Sequence, residues 1–372
     1  MNFFSFFKNM LAWLSMMVFF SAYAGADIVA NLHGVIVPVA NQGDKERLKA
    51  MSTGLESILV KITGESQPLG GLVHPSSESL VADFSYVGYV DPLQTKNANS
   101  GLGISLNYDP SGVEKLIQKY QLKIWPADRH SLLAWIVIED PVEGIRFMTQ
   151  KEFPEATEAL RTLMDNRGAP LAFPLLDLKD TKNFFEVDVW DLDQKKLSIA
   201  SDRYIAKSWV AMRLFQRSSG QWSASWAFSA NNSIELKHTM ANSLPKLFGK
   251  IVPHIVDTLA SRYSYTPKEN TEKVILQLQS INDYASLREA MSYLESLEVV
   301  RDLRIKIVDQ DRVSLELHME GEEFLLLEAF RRDRRIKENA NNFKGPALLV
   351  DIEKRGATFL PKRQLQFTWQ GR

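Results

Sequence analysis

The chain has 372 residues, of which 45% are hydrophobic and 24% are charged, and its formal net charge is −1. This composition is typical of a folded globular protein of about two or three domains, which excludes wholesale disorder and fibrous repeats. The chain contains no cysteine, so disulfides, thiolate metal sites, cysteine nucleophiles and lipid-modified cysteine anchors are excluded. The near-neutral charge gives no reason to expect a nucleic-acid partner.

The first 24 residues have the pattern of a secretory signal peptide. Lys8 supplies a positive charge, residues 10–20 form a short apolar run, and Ala22-Tyr23-Ala24 is a small-residue cleavage pattern. The run is shorter than the roughly 20 apolar residues of a membrane span. An uncleaved N-terminal anchor is the alternative. We predict a periplasmic or otherwise exported protein that is soluble after signal cleavage, has no transmembrane span in the mature chain and is not a lipoprotein.

Residues 27–108 predict a small N-terminal α+β unit. Valines alternate over 35–39, as in a half-buried strand. Apolar residues then recur three and four apart over 48–62 and end at a glycine, which indicates an amphipathic helix. Two further strands are expected at 84–90 and 104–108.

Residues 109–266 predict a central three-layer α/β domain. Apolar runs at 132–138 and 171–176 are typical of strands buried on both faces, and helical patterns alternate with them. Segments 208–217 and 221–230, separated by Ser-Ser-Gly, predict an antiparallel edge hairpin.

Residues 272–338 have the order β-α-β-β-α, which predicts a C-terminal ferredoxin-like unit with both helices on one face of a sheet. A polar segment at 266–273 is the expected linker before it. Residues 339–372 form a basic tail with possible strands at 348–353 and 365–369.

Motifs for catalysis and metal binding are missing from the sequence. The six histidines never fall within five residues of one another, and neither a G-x-S-x-G elbow nor a phosphate-binding loop is present. We therefore predict no catalytic residues, no metal site and no cofactor.

Two aspartates form the first candidate site. Asp140 and Asp177 each follow an apolar run of the central domain, and ligands of open α/β sheets bind beyond the carboxyl ends of strands. If the two strands are parallel neighbours, both carboxylates would line one crevice, where Arg129 or Arg203 would supply an anion contact. The alternative is ordinary turn chemistry, for which aspartate is a common residue.

A basic cluster forms the second candidate site. Residues 331–363 contain ten Lys and Arg against four Asp and Glu, a net charge of +6. Arg331, Arg334 and Arg335 are expected on one side of a helix, with Arg332 beside them. Such a surface would meet an envelope protein or an anionic envelope polymer. A solvated helix face followed by a mobile tail is the alternative.

Several stretches carry a resemblance to a known family: VPVANQ (37–42) with LVKITG (59–64), LNYD (106–109) with IW (124–125), RGAPL (167–171) with FPLLDL (173–178), and DVW (188–190) with ASDRY (200–204). They resemble the domain of unknown function 2066 family of exported proteobacterial proteins. One departure is Asp128-Arg129-His130, where the family pattern has Asn-Arg-Pro. The resemblance implies export and brings no catalytic residues.

These observations predict an exported, non-catalytic binding or scaffolding protein of the cell envelope. The alternative is an exported hydrolase or small-ligand-binding protein that uses a crevice at the strand ends of the central domain.

Overall fold

In the computed structural model, the described residues are 27–29, 31–70, 77–91, 101–204, 208–230, 233–267, 272–333, 335–339 and 364–371. The predicted signal peptide and the possible strand at 348–353 lie outside the described residues. Mixed helices and sheets confirm the predicted α+β and α/β multidomain fold class. Within the described ranges, no helix combines the length and the apolar character that a membrane crossing requires.

The N-terminal unit is a small antiparallel sheet covered by a long helix. Its elements are β1 (Asp27–Ile28), β2 (Gly34–Val39), α1 (Asp44–Thr63), β3 (Val81–Tyr89) and β4 (Gly101–Tyr108). The sheet order is β2–β4–β3. α1 buries Leu55, Ile58 and Leu59, and ends at Gly64, whose φ of 73° is the left-handed glycine cap that the sequence predicts.

The core of this unit extends past its predicted boundary at residue 108. The next helix, α2 (Pro110–Tyr120), buries Val113 and Leu116 in the cluster formed by α1 and the first sheet. Asp109 caps α2, and its backbone N–H donates to the Leu80 carbonyl. The chain therefore turns back onto the first sheet at Asp109 before it enters the central unit.

A six-stranded mixed sheet forms the centre of the molecule. Its strands are β6 (Leu132–Asp140), β7 (Gly144–Phe147), β8 (Leu171–Ala172), β9 (Ser208–Gln216), β10 (Trp222–Ala230) and β11 (Ser233–Ala241). The order is β11–β10–β9–β6–β7, with β8 beside β6, and β6 runs parallel to β8 and β9. The predicted antiparallel hairpin is β9–β10, but it lies inside the sheet, because β11 pairs with β10 and forms the edge. The edge strand β11 lacks the apolar run of a central strand, because much of it is exposed.

Helices cover both faces of this sheet, which confirms the predicted three layers. The helices are α3 (Pro154–Asn166), α4 (Leu178–Thr181), α5 (Glu186–Trp190), α6 (Gln194–Asp202) and α7 (Leu244–Tyr263). Alternate residues of β6 point to opposite layers. Ile136 packs with the core that includes α3 and α7, and Trp135 with the core that includes α5 and α6. Between them, the two layers shield β6 on both faces.

The C-terminal unit has the predicted β-α-β-β-α order and takes a further strand from the tail. Its elements are β12 (Glu272–Gln279), α8 (Tyr284–Glu295), β13 (Val300–Asp309), β14 (Arg312–Met319), α9 (Glu323–Arg332), β15 (Ile336–Glu338) and β16 (Gln364–Trp369). The sheet order is β13–β14–β12–β16–β15, so the tail strand inserts beside the first strand. Leu365, Phe367 and Trp369 are buried with α8 and α9 in one core, which continues into the central unit.

A buried arginine lies where the units meet. Arg129, in the short strand β5 (Asp128–Arg129), is 1% exposed. Its Nε donates to the Pro126 carbonyl at 3.0 Å, Nη1 to that of Gly168 at 2.7 Å and Nη2 to that of Trp125 at 2.9 Å. The guanidinium lies 4.1 Å from the centre of the Trp125 ring. Burial lowers the Arg129 pKa to about 9, so the side chain keeps its charge at neutral pH.

Backbone and side-chain bonds connect this segment to its neighbours. Trp125 N–H donates to the Ile62 carbonyl at the end of α1. Arg167, after α3, donates from Nη2 to the Gly64 carbonyl at 2.7 Å and to Asp257 of α7 at 2.5 Å. The end of α1 is therefore tied to both helices on one face of the central sheet.

Gly168 offers a test of this packing. It has a φ of 62°, and a Cβ there would lie 2.5 Å from Arg129 Nη1 and 2.8 Å from Lys61 Cγ. We expect Gly168→Ala to lower the free energy of unfolding by about 3 kcal/mol, since left-handed strain adds to overpacking.

Gly70→Ala is the matched control, because Gly70 has a φ of 54° and a Cβ added there would meet no atom of the described residues within 4 Å. We expect this substitution to lower the free energy of unfolding by about 1 kcal/mol, because alanine is strained in the left-handed conformation. Urea denaturation of both variants measures the difference, and equal losses would contradict the close packing at Gly168.

Candidate functional site

Asp140 acts as a turn residue at the end of β6. Its Oδ1 accepts the backbone N–H groups of Val142 at 2.8 Å and Glu143 at 3.0 Å, and these bonds lower its pKa. Arg146 lies 3.5 Å from the second carboxylate oxygen. The carboxylate therefore stabilises the β6–β7 turn.

Asp177 caps the short helix α4 and pairs with Arg203. Its Oδ1 accepts the N–H groups of Lys179 and Asp180. Arg203 donates to both of its oxygens at 2.6 Å and to Asp180 at 2.6 Å, and the Tyr204 hydroxyl donates to Asp180. The guanidinium of Arg203 holds the Asp177 pKa well below its usual range.

The fold does not join the two aspartates in one shared cluster. Their strands are parallel neighbours, as the crevice hypothesis requires, but β8 pairs only with Leu132 and Leu133 at the start of β6. Asp140 ends β6, whereas the predicted strand at 171–176 leaves the sheet after Ala172. Pro174 provides a reason, because proline has no N–H for the sheet. Each aspartate consequently has its own arginine.

The described arginines of the basic cluster lie beside acidic groups. Arg331 pairs with Glu328 at 2.9 Å. The helix α9 ends at Arg332, so Arg335 lies beyond it, where it pairs with Asp333 at 2.5 Å and stacks 4.2 Å from the centre of the Tyr293 ring. The side chain of Arg332 and all of Arg334 lie outside the described residues. The surface that would meet an envelope partner stays a prediction.

A long groove runs beside α3 in the described part of the chain. Its two basins measure about 1050 Å³ and 1190 Å³ and share Val90 and Thr162 in their walls. We call the whole feature the α3 groove. Its first basin lies between the starts of α3 and α7, and its second lies between α3 and strand β2 of the N-terminal unit.

The first basin is acidic. Its lining carboxylates are Asp91, Glu152, Glu155 and Glu158, and the described residues of its lining include no lysine, arginine or histidine. Glu155 and Glu158 are exposed on α3. Glu152, Glu155 and Glu158 are three residues apart, so their position on one wall could be predicted from the sequence. Asp91 is distant in the sequence and joins this wall only in the folded chain. Arg146 lies outside the lining and approaches one of these carboxylates, Glu152, at 3.8 Å. The remaining carboxylates leave the basin with a net negative charge that favours cationic groups.

The floor of the acidic basin is apolar. Phe153, Trp222 and Leu244 are half-buried there, and Arg146 lies 5.2 Å from the centre of the Phe153 ring. Ser243 also lines the basin, but its hydroxyl accepts the backbone N–H of Lys246 as the cap of α7. A ligand in this basin would therefore be held by attraction between its positive charge and the carboxylates, and by contact with the apolar surface.

The second basin includes the outer edge of β2, and this edge is blocked against strand addition. Pro38 has no N–H to donate to an added strand, and the Gly34 carbonyl already accepts a hydrogen bond from Lys61 Nζ at 2.9 Å. Burial lowers the pKa of Lys61. A ligand in this basin would therefore find few backbone groups with which to extend the sheet.

In the described part of the chain, no group of three histidine or carboxylate side chains is placed to hold a metal ion.

Comparison with known proteins finds a similarity to a domain without an assigned activity. The sequence profile described as "Domain of unknown function (DUF8605)" matches residues 26–126. No curated protein matches the chain. The matched range includes α2 and ends beside Trp125, in agreement with the extended N-terminal core, and it supplies the β2 and β3 residues of the α3 groove.

The pairing of Asp177 with Arg203 predicts a pH-dependent contribution to stability. A carboxyl whose pKa is lowered by folding stabilises the native state above its unfolded pKa of about 3.9, and this stabilisation is lost as the pH falls further. We expect Asp177→Asn to be less stable than the parent at pH 7, with a difference that shrinks below about pH 4.

Chemical denaturation between neutral and acidic pH measures this difference. In an Arg203→Met background, the same substitution should show a weaker pH dependence, because the guanidinium is the main cause of the shift. A difference that stays constant across the pH range would contradict the assignment.

Proposed function

We propose that this protein is an exported, non-catalytic binding protein of the cell envelope that holds a basic polypeptide segment in the acidic basin of the α3 groove. The observation that carries the proposal is the basin itself, whose described lining has four carboxylates and no cationic side chain. Phe153 and Trp222 add an apolar floor, which suits a segment carrying both cationic and apolar side chains.

The dimensions of the groove support a polypeptide over a small molecule. Small-molecule sites usually occupy about 300–1000 Å³ and enclose most of their ligand. The acidic basin alone has about 1050 Å³, lies open along α3 and continues into a second basin. An elongated ligand would use this length, and complementary charge would steer its approach.

Export is supported by the pattern of the first 24 residues and by the resemblance to an exported proteobacterial family. Cell fractionation tests this part separately. We expect the mature chain in the periplasmic fraction, and retention of the full-length chain in the cytoplasm would contradict it.

The alternative, a hydrolase centred on Asp140 and Asp177, has less support. Asp140 is bound by turn N–H groups and Asp177 by Arg203. General acid–base catalysis needs groups within hydrogen-bond reach of one substrate, and these two carboxylates serve separate structural contacts.

Substitution of the exposed glutamates tests the acidic basin. We expect Glu155→Gln together with Glu158→Gln to weaken binding of a short dye-labelled Lys/Leu peptide about tenfold, since two exposed ion pairs are worth about 1.4 kcal/mol in total. Fluorescence anisotropy at low ionic strength measures the affinity. Raising the salt from about 0.05 M to about 0.3 M should weaken binding to the parent protein further.

The matched control is Asp191→Asn together with Asp202→Asn, which removes two exposed carboxylates from the helical layer on the other face of the central sheet. We expect this control to bind the peptide as the parent does. Equal weakening in both double variants, or equally tight binding of a Glu/Leu peptide, would contradict the proposal.

A further inference from the structure

A second and smaller cavity lies between the central and C-terminal units. It has a volume of about 140 Å³ and is separate from the α3 groove. One wall comes from the segment that carries Trp125 and Arg129, and the opposite wall comes from Leu297 and Val299 before β13 and from Leu325 of α9. An engineered apolar cavity of about 150 Å³ accepts benzene, so this space suits a ligand of a few heavy atoms.

The walls of the cavity are aromatic and aliphatic. His130 stacks on Tyr263 with ring centres 5.8 Å apart and planes inclined by 23°. Leu297, Val299 and Leu325 are buried. The cavity would therefore favour a ligand with an apolar body, because burial of its hydrocarbon surface releases water.

The ionisable groups of the lining favour a cation. The carboxylates of Asp128, Glu298 and Glu328 line the cavity, and Glu298 Oε2 accepts the Ala127 N–H at 3.1 Å, which orients that carboxylate. Arg129 also lines it, but each of its three guanidinium nitrogens donates to a backbone carbonyl. An anion would therefore compete with carbonyls for Arg129 and would face the carboxylates of Asp128 and Glu298, whereas the charge of Glu328 is already paired with Arg331 at 2.9 Å.

We propose that this cavity binds a small organic cation, a primary alkylammonium ion whose hydrocarbon part lies against the aromatic and aliphatic walls and whose charge is met by Glu298. The ammonium group supplies three N–H donors, which the oxygens of the Glu298 carboxylate can accept. This site is independent of the peptide-binding proposal for the α3 groove.

A pair of probes that differ in charge tests this site. Butylammonium and butyrate have short hydrocarbon chains of similar size and opposite charge. We expect calorimetry or ligand-observed NMR on the full chain to show binding of butylammonium and much weaker binding of butyrate. Butyrate binding as tight as butylammonium, or no binding of either probe, would overturn the proposal.

Three variants locate the binding site. Glu298→Gln preserves the side-chain shape and should weaken butylammonium binding about tenfold, as expected for loss of a charged hydrogen-bond partner. Glu295→Gln, an exposed change at the end of α8 and outside the cavity lining, should have no effect. Leu325→Phe places additional volume in the cavity and should reduce binding while retaining the charge of Glu298.

Circular dichroism of each variant establishes that it is folded before binding is measured. Unchanged butylammonium affinity in a folded Glu298→Gln variant would overturn the role of that carboxylate. Unchanged affinity in a folded Leu325→Phe variant would place the ligand elsewhere.

Discussion

The buried charge of Arg129 constrains the whole arrangement. A guanidinium removed from water is costly unless its donors are satisfied, and here backbone carbonyls of Trp125, Pro126 and Gly168 satisfy them. These carbonyls belong to two separate segments of the chain, so the segments must stay in register around the arginine. The close approach of residue 168 to the arginine also explains why this residue is a glycine, because a side chain there would collide with Arg129.

The small cavity and the second basin of the α3 groove both depend on this junction. The segment around Arg129 forms one wall of the small cavity, and Arg167 and Gly168 line the second basin of the α3 groove. The same segment contacts the N-terminal unit through Trp125 and Ile62. A change in the packing of the units would therefore alter both the small cavity and the second basin, which gives their geometry a common physical origin.

Local patterns in the sequence predict most of the secondary structure. Apolar spacing and a glycine cap identify α1, alternation identifies β2, and the apolar run of β6 reflects burial on both faces. The predictions depart from the structure where contacts with distant segments of the chain determine the position of an element. The polar strand β11 lies at an edge, α2 joins the N-terminal core, and β16 returns from the tail into the C-terminal sheet.

Composition and short-range spacing are enough to establish the mixed α/β class, the absence of cysteine chemistry and the acidic repeat of Glu152, Glu155 and Glu158. These properties depend on residues that are close together in the chain. Three others required the folded molecule: the neutralisation of Asp177 by Arg203, the completion of the acidic basin by Asp91 and Trp222, and the placement of Glu298 and Arg129 around one cavity. Such contacts join distant segments, and their positions follow from how the units pack.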